Sequence, residues 1–146
     1  MSPSVQEVKY KLDDFCHDPL PLEKSVLLLG PSGIGKTCYA LAHFKAPLLV
    51  RHLDQLSEFN PHLHDGIVFD DMSFTHIHPE ARIHLLDMDF GSHIHIRYTT
   101  AYIPQGTKRI FCHNGVPFYD DKVFGYQLEA LKRRVLELSL TESLFE

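Results

Sequence analysis

An apolar segment followed by a glycine-rich loop constrains the fold of this chain more than any other feature. Residues 25–29 read Ser-Val-Leu-Leu-Leu, a short apolar run that predicts a buried strand. The loop after it reads Gly30-Pro31-Ser32-Gly33-Ile34-Gly35-Lys36-Thr37 and fits the pattern G-x-x-x-x-G-K-[ST] completely. Residues 36–44 then predict a helix. A strand, such a loop and a helix in succession indicate a phosphate-binding loop.

Each part of this loop has a role in binding nucleotide phosphates. The glycines let backbone N–H groups turn toward the phosphates without a Cβ clash, and the following helix directs its positive end at the anion. We expect Lys36 to reach the β- and γ-phosphates of ATP and the Thr37 hydroxyl to bind Mg²⁺. Cys38 follows directly and is included among the nucleotide-site residues, with small buried filler as the simpler role.

A second, acidic element favours hydrolysis over binding alone. Residues 67–71 read Ile-Val-Phe-Asp-Asp, an apolar strand that delivers two carboxylates to the edge of a sheet where ligands bind. We expect Asp70 to hold Mg²⁺ through water and Asp71 to orient or deprotonate the attacking water. A polar strand end or a helix cap is the alternative for both.

The remaining patterns predict an α/β domain with a central, mostly parallel sheet flanked by helices. Further strands are predicted at 47–50, 93–98 and 109–112, with 101–103 returning as a hairpin. Helices are predicted at 53–59, 79–88 and 126–138, the last with a terminal strand as an alternative ending. The predicted domain spans residues 25–140, after a lead-in over 1–24 and before a tail over 141–146.

Composition limits the classes of function without choosing one. The chain has 146 residues and a formal net charge of −5, so a strongly basic nucleic-acid binder is not indicated. Half of its 14 Lys and Arg residues nevertheless lie between Arg97 and Arg134, as a basic surface or a solvated face. No run is long enough to cross a membrane, no signal peptide is recognisable, and three cysteines without CxxC spacing favour a reducing intracellular setting.

Three elements in this order resemble superfamily 3 helicases: the phosphate loop, the Asp70-Asp71 strand and Ile110-Phe111-Cys112-His113-Asn114. The chain is most similar to the helicase domain of Rep proteins from small circular single-stranded DNA viruses and related plasmids, including the lead-in at residues 10–15. The resemblance implies an AAA+-like P-loop NTPase fold. It also implies that Asn114 contacts the γ-phosphate or positions the water.

The same resemblance implies contacts outside the phosphate site. Residues 97–107 are similar to the family's hairpin that touches DNA, so Arg97 is the best candidate for a phosphate contact and Lys108 and Arg109 are weaker ones. The pair Arg133 and Arg134 resembles an arginine finger that reaches the ATP of a neighbouring subunit. Solvent-exposed hairpin and helix faces are the alternatives for these arginines.

Taken together, the resemblance implies an ATP-dependent, Mg²⁺-dependent helicase in the replication of a small circular DNA genome. It would act as a hexameric ring on single-stranded nucleic acid, with DNA favoured over RNA, in the host nucleus for a eukaryotic DNA virus and in the cytoplasm otherwise. The short segment before Gly30 leaves no room for the nicking domain of Rep proteins, so we expect a fragment, a truncated gene product or a stand-alone ATPase. An RNA helicase, a small-molecule kinase and a nucleotide-binding protein without turnover remain alternatives.

Three histidine pairs have the i, i+2 spacing that places both side chains on one face of a strand. They are His62/His64, His76/His78 and His93/His95. We favour an interpretation without metal binding for these pairs, and we expect His93 and His95 to line one face of the predicted hairpin, where partial protonation could aid DNA contact.

Overall fold

Strands and helices alternate along most of the chain, as the sequence predicts. The structure is a computed structural model that describes residues 5–8, 20, 22–31, 35–96 and 99–140. The strands are β1 (Val5–Val8), β2 (Ser25–Leu29), β3 (Pro47–Val50), β4 (Gly66–Asp70), β5 (Ser92–Ile96), β6 (Thr99–Ile103), β7 (Arg109–His113) and β8 (Val135–Leu140). The helices are α1 (Lys36–Leu41), α2 (Pro79–Leu86) and α3 (Tyr126–Arg134), and a 3-10 helix spans Leu53–Glu58.

The main sheet has six strands in the order β1-β8-β2-β7-β4-β3. Every pairing within it is parallel, which confirms the prediction of an α/β domain with a mostly parallel sheet. Strand β7 follows β2 and β4 in the chain but lies between them in the sheet. The loops that leave the carboxyl ends of these three strands are therefore neighbours.

Both faces of the sheet are covered, so its central strands are apolar without alternation. On one face α1 places Tyr39 and Ala40 against Leu28 and Val68. On the other face α2, α3 and the β5–β6 hairpin cover Phe69 and other apolar side chains. Burial of each large apolar side chain contributes about 1.5–3 kcal/mol, so this packing fixes the positions of the strand ends.

The predicted hairpin lies between the acidic strand and β7 in the chain. Strands β5 and β6 pair antiparallel, with His93 opposite Tyr102 and His95 opposite Thr100. These four side chains are exposed, whereas the alternate positions, such as Ile94, are buried. The alternation predicted from the sequence is confirmed for this hairpin, and Arg97 and Tyr98 lie outside the described residues.

The structure differs from the prediction at both ends of the domain. The helix predicted over 126–138 ends at Arg134, and Val135–Leu140 forms a strand that pairs with β2 and β1 on its two sides. Hydrogen bonding to two neighbouring strands outweighs the local helical pattern there. Strand β1 extends the sheet to residues before 25, where the sequence placed the domain boundary, and the tail over 141–146 lies outside the described residues.

The helices of the described ranges are short. The longest, α3, has nine residues. No helix in that part of the chain is long and apolar enough to cross a membrane.

Candidate functional site

The carboxyl edge of the sheet brings the three predicted motifs together. Leu29 lies opposite His113, and Asp70 lies opposite Cys112. Beyond the paired strands, the Gly30 N–H donates to the His113 carbonyl at 3.3 Å and the Asp71 N–H donates to the Cys112 carbonyl at 2.8 Å. The glycine-rich loop, the paired acids and Asn114 therefore begin side by side.

In the described part of the glycine-rich loop, the Lys36 ammonium is bound by the first residues of the loop. Gly35 has φ 91°, a left-handed conformation that glycine adopts without strain, and α1 starts at the next residue. Lys36 Nζ donates to the carbonyls of Gly30 and, at 3.3 Å, Pro31. Ser32, Gly33 and Ile34 lie outside the described residues. The Lys36 ammonium therefore lies against the carbonyls at the start of the loop.

A side-chain hydrogen bond links Thr37 of the first motif to Asp70 of the second. The Thr37 hydroxyl donates to Asp70 Oδ1 at 2.7 Å, although 33 residues separate them. Asp70 is partly buried, with a side-chain exposure of 24%. A hydroxyl beside a carboxylate suits Mg²⁺, which takes hard oxygen ligands and is usually bound by few protein groups together with water and substrate phosphates. These two side chains fit the predicted metal.

Asp71 lies at the turn directly after β4 and is exposed. Its φ of 54° is in the left-handed region, where aspartate is found more often than most residues. A cavity of about 240 Å³ lies next to it, lined also by Arg51, His52 and His76 among others. The carboxylate is therefore accessible to solvent, next in the chain to Asp70.

Asn114 is exposed and directly follows β7, between the loops from β2 and β4. The backbone around it is fixed, because the Gly115 N–H donates to His113 Nδ1 at 2.8 Å. Further along, the Phe74 N–H donates to the Pro117 carbonyl at 2.8 Å, which joins this loop to the one after the acids. The position of Asn114 is thus set by contacts with both neighbouring loops.

Arg82 joins these two loops more strongly, and the sequence analysis missed it. Its side chain on α2 is completely buried. It donates to the carbonyls of Thr75 and Ile77, both at 2.9 Å, and to that of Phe118 at 3.1 Å. Two further bonds reach the carboxylate of Asp120 at 3.1 and 3.2 Å. A single arginine in a helical pattern gives no sequence signal for such a role.

Cys112 and Cys38 differ in their environments beside the site. Cys112 lies within β7 and is buried, and desolvation raises the pKa of its thiol to about 12. The charge of the neighbouring Asp70 carboxylate contributes to this raised pKa. The expected role of Cys38 as buried filler is wrong, because this side chain is exposed on α1, directly after Thr37.

Arg133 and Arg134 lie at the opposite edge of the sheet from the glycine-rich loop. They end α3 just before Val135, which pairs with Ser25 at the start of β2. Arg133 is exposed, whereas Arg134 Nη1 donates to the Ala130 carbonyl at 2.9 Å. Arg134 Nε also lies 3.5 Å from Asp87 Oδ2, an ion pair without hydrogen-bond geometry. Arg133 is therefore the more exposed of the two side chains.

The predicted nucleic-acid contacts have different outcomes. Arg97 lies outside the described residues, and Lys108 is exposed. Arg109 is wrong as a nucleic-acid contact, because it is completely buried and donates to the carbonyls of Thr107 and Leu85. Burial lowers the pKa of its guanidinium to about 10. Its position at the start of a central strand, below the end of α2, explains this burial.

The histidine pairs do not share one structural role. His62 and His64 lie in a turn, where His64 stacks on Phe59. His78 caps α2 by accepting from the Glu80 N–H at 3.1 Å. Among the described residues, no group of three or more His, Cys, Asp or Glu side chains is placed to hold a metal ion.

No protein-family model matches the chain, and no curated protein matches its sequence.

Proposed function

We propose that the carboxyl edge of the sheet binds and hydrolyses ATP with Mg²⁺, and that hydrolysis drives movement along single-stranded nucleic acid. The observation that supports this most is the 2.7 Å hydrogen bond between Thr37 and Asp70. It joins the end of the phosphate-loop motif to the acidic strand, as a shared metal site requires. DNA is the favoured polymer and RNA the alternative, on the resemblance to Rep helicase domains.

Each residue at this edge has a role in the proposed reaction. Lys36 exchanges its loop carbonyls for the β- and γ-phosphate oxygens, and Thr37 and Asp70 hold the metal. When bound, the metal supplies neutralisation of charge that develops on the transferring phosphoryl group. Asp71 orients or deprotonates the attacking water, and Asn114 contacts the γ-phosphate or that water.

The position of Arg133 supports assembly into an oligomer. Five strand residues, about 13 Å, separate the edge where Arg133 lies from the edge where the phosphate loop begins. Arg133 therefore has no short path to the phosphate site of its own chain, but a neighbouring chain in a ring could receive it. An arginine supplied in this way stabilises the charge of the transition state.

The outer face of the β5–β6 hairpin supports contact with a polymer. His93 and Tyr102 are exposed opposite each other, with their rings 4.7 Å apart. Exposed rings can stack on nucleobases, and Lys108 adds a positive charge after the hairpin. These features complement the Rep resemblance, which assigns DNA contact to this segment.

The test measures phosphate release from ATP at several protein concentrations, with no polymer, with oligo-dT and with oligo-rU. We expect a rate per chain that rises steeply with concentration and with oligo-dT. Lys36→Ala should abolish it, and Asp71→Asn should lower it by about 10²–10⁴-fold while ATP binding persists. A concentration-independent, polymer-insensitive ATPase would contradict the helicase proposal, and full activity in Lys36→Ala would contradict the phosphate site.

Mixing two inactive variants tests the contribution of Arg133 in trans. Arg133→Ala retains an intact phosphate loop, and Lys36→Ala retains an intact arginine. Mixed oligomers contain interfaces that combine the two intact halves, so activity should return on mixing. Mixtures that stay as inactive as their components would argue against a shared site.

A small-molecule kinase is the second candidate, favoured by one observation. An open cavity of about 240 Å³ lies beside Asp71, below the roughly 300–1,000 Å³ of ordinary ligand pockets, so it would suit only a small acceptor. Phosphate release from ATP in the absence of any acceptor would favour the ATPase over this candidate.

A further inference from the structure

Arg51 contacts the proposed metal site, and neither the sequence motifs nor the resemblance includes it. It follows the last residue of β3, next to β4 in the sheet. Its Nε donates to Asp70 Oδ2 at 3.1 Å. The position is a consequence of the register, because Val50 lies opposite Phe69 and the next residue on each strand reaches the same edge.

Both carboxylate oxygens of Asp70 are therefore occupied. Thr37 donates to Oδ1 and Arg51 donates to Oδ2. Thr37 can remain near a metal ion, because its hydroxyl oxygen is itself a suitable ligand. Arg51 competes with the metal instead, because a guanidinium has no acceptor and its positive charge opposes a divalent cation at the same carboxylate.

The Arg51 side chain is free to leave without disturbing the backbone. Its side chain is 64% exposed, whereas that of Asp70 is 24% exposed. Its own N–H donates to Gln55 Oε1 at 2.7 Å, which fixes the main chain at the start of the 3-10 helix. The cavity of about 240 Å³ beside Asp71 is lined by Arg51 as well and provides space for the displaced guanidinium.

We propose that Arg51 neutralises Asp70 in the metal-free site, that the divalent cation displaces it on binding, and that it thereby sets the metal affinity. This inference rests on the proposed function, because Asp70 must be a metal-site residue. Arg51 is a positioning residue that acts through Asp70. Metal affinity, measured without turnover, is the property that distinguishes this role from a purely structural one.

The experiment measures Mn²⁺ binding by electron paramagnetic resonance in the presence of a non-hydrolysable ATP analogue. The variant Arg51→Gln removes the competing cation, so its Mn²⁺ dissociation constant should fall about two- to fivefold, as expected for loss of one exposed ion pair. Lys45→Gln is the matched control, because Lys45 is also exposed and lies before the other end of β3. The Mn²⁺ affinity of Lys45→Gln should equal that of the parent. The affinity of Arg51→Gln for the analogue, measured without metal, should also equal that of the parent.

The possible results separate this inference from the proposed function. Unchanged or weaker Mn²⁺ binding in Arg51→Gln overturns the role of Arg51 and leaves the phosphate site intact. Equal tightening in Lys45→Gln overturns it too, because the effect is then one of general charge. A parent that binds no Mn²⁺ with the analogue overturns both proposals. Arg51→Lys is a second variant that retains the charge but loses the planar guanidinium. Its Mn²⁺ affinity should lie between those of the parent and Arg51→Gln.

Discussion

Replacement of Arg82 by methionine should destabilise the domain more than any change at an exposed arginine. The substitution keeps much of the apolar volume but removes every donor of a side chain that is completely buried. The bond to the Phe118 carbonyl is buried, so its loss leaves an unsatisfied acceptor at about 1–3 kcal/mol. The bonds to the carbonyls of Thr75 and Ile77 are partly buried, and the loss of each adds about 1 kcal/mol to the destabilisation. The expected loss is about 3–5 kcal/mol, excluding the Asp120 pair.

Urea unfolding and thermal denaturation of parent and variant measure this loss. For a chain of this length, about 3–5 kcal/mol corresponds to a fall in Tm of about 6–20 °C. Arg133→Met is the control, because an exposed arginine on α3 should change the unfolding free energy by less than about 0.5 kcal/mol. An Arg82→Met protein within 1 kcal/mol of the parent would refute the reasoning that this side chain clamps the two site loops.

Three further predictions concern other parts of the same framework. The hydrogen bond from Arg82 holds the pKa of Asp120 below its ordinary 3.8, so the stability that this bond contributes is present above pH 3.8 and is lost as the pH falls through the lower pKa of the folded state. Asp120→Asn should therefore weaken the fall of the unfolding free energy at acid pH, measured by urea unfolding at several pH values. An unchanged pH dependence would contradict this assignment. At pH 8 an alkylating reagent should modify exposed Cys38 but not buried Cys112, whose pKa is about 12, until denaturant is added; peptide mass mapping distinguishes them. Gly66→Ala should cost about 1–3 kcal/mol in thermal unfolding, because its Cβ would lie 2.2 Å from the Phe44 ring; a double variant with Phe44→Leu should recover part of the loss.

Local patterns were sufficient for most of the elements and for part of the candidate site. The apolar run at Ser25–Leu29 is a buried strand, and the alternating segment after α2 forms a hairpin with His93 and His95 on its exposed face. The sequence also placed Thr37 after a glycine-rich loop and Asp70 at a strand end, whereas the hydrogen bond that joins them spans 33 residues and depends on the fold. The strand and the hairpin depend on residues close together in sequence, whose spacing already carries the geometry.

Features that depend on distant neighbours were missed or wrongly interpreted. Arg109 had the charge of a nucleic-acid contact, but its burial depends on the end of α2 packing above β7. Arg51 and Arg82 had no motif, because their partners lie 19 and up to 38 residues away in the chain. The helical pattern after residue 126 ended early because Val135–Leu140 pairs with strands on both sides.

The sequence by itself determined the phosphate-loop motif, the alternation of strands and helices and the hairpin face, because glycine content and hydrophobic period act over a few residues. Only the tertiary structure decided that β7 lies between β2 and β4, and hence that the loop starting at Asn114 leaves the sheet between those starting at Gly30 and Asp71. Only it decided which arginines are buried, which neutralise a carboxylate and which remain exposed. Strand order and burial are set by packing among elements far apart in the chain, and no local pattern carries that information.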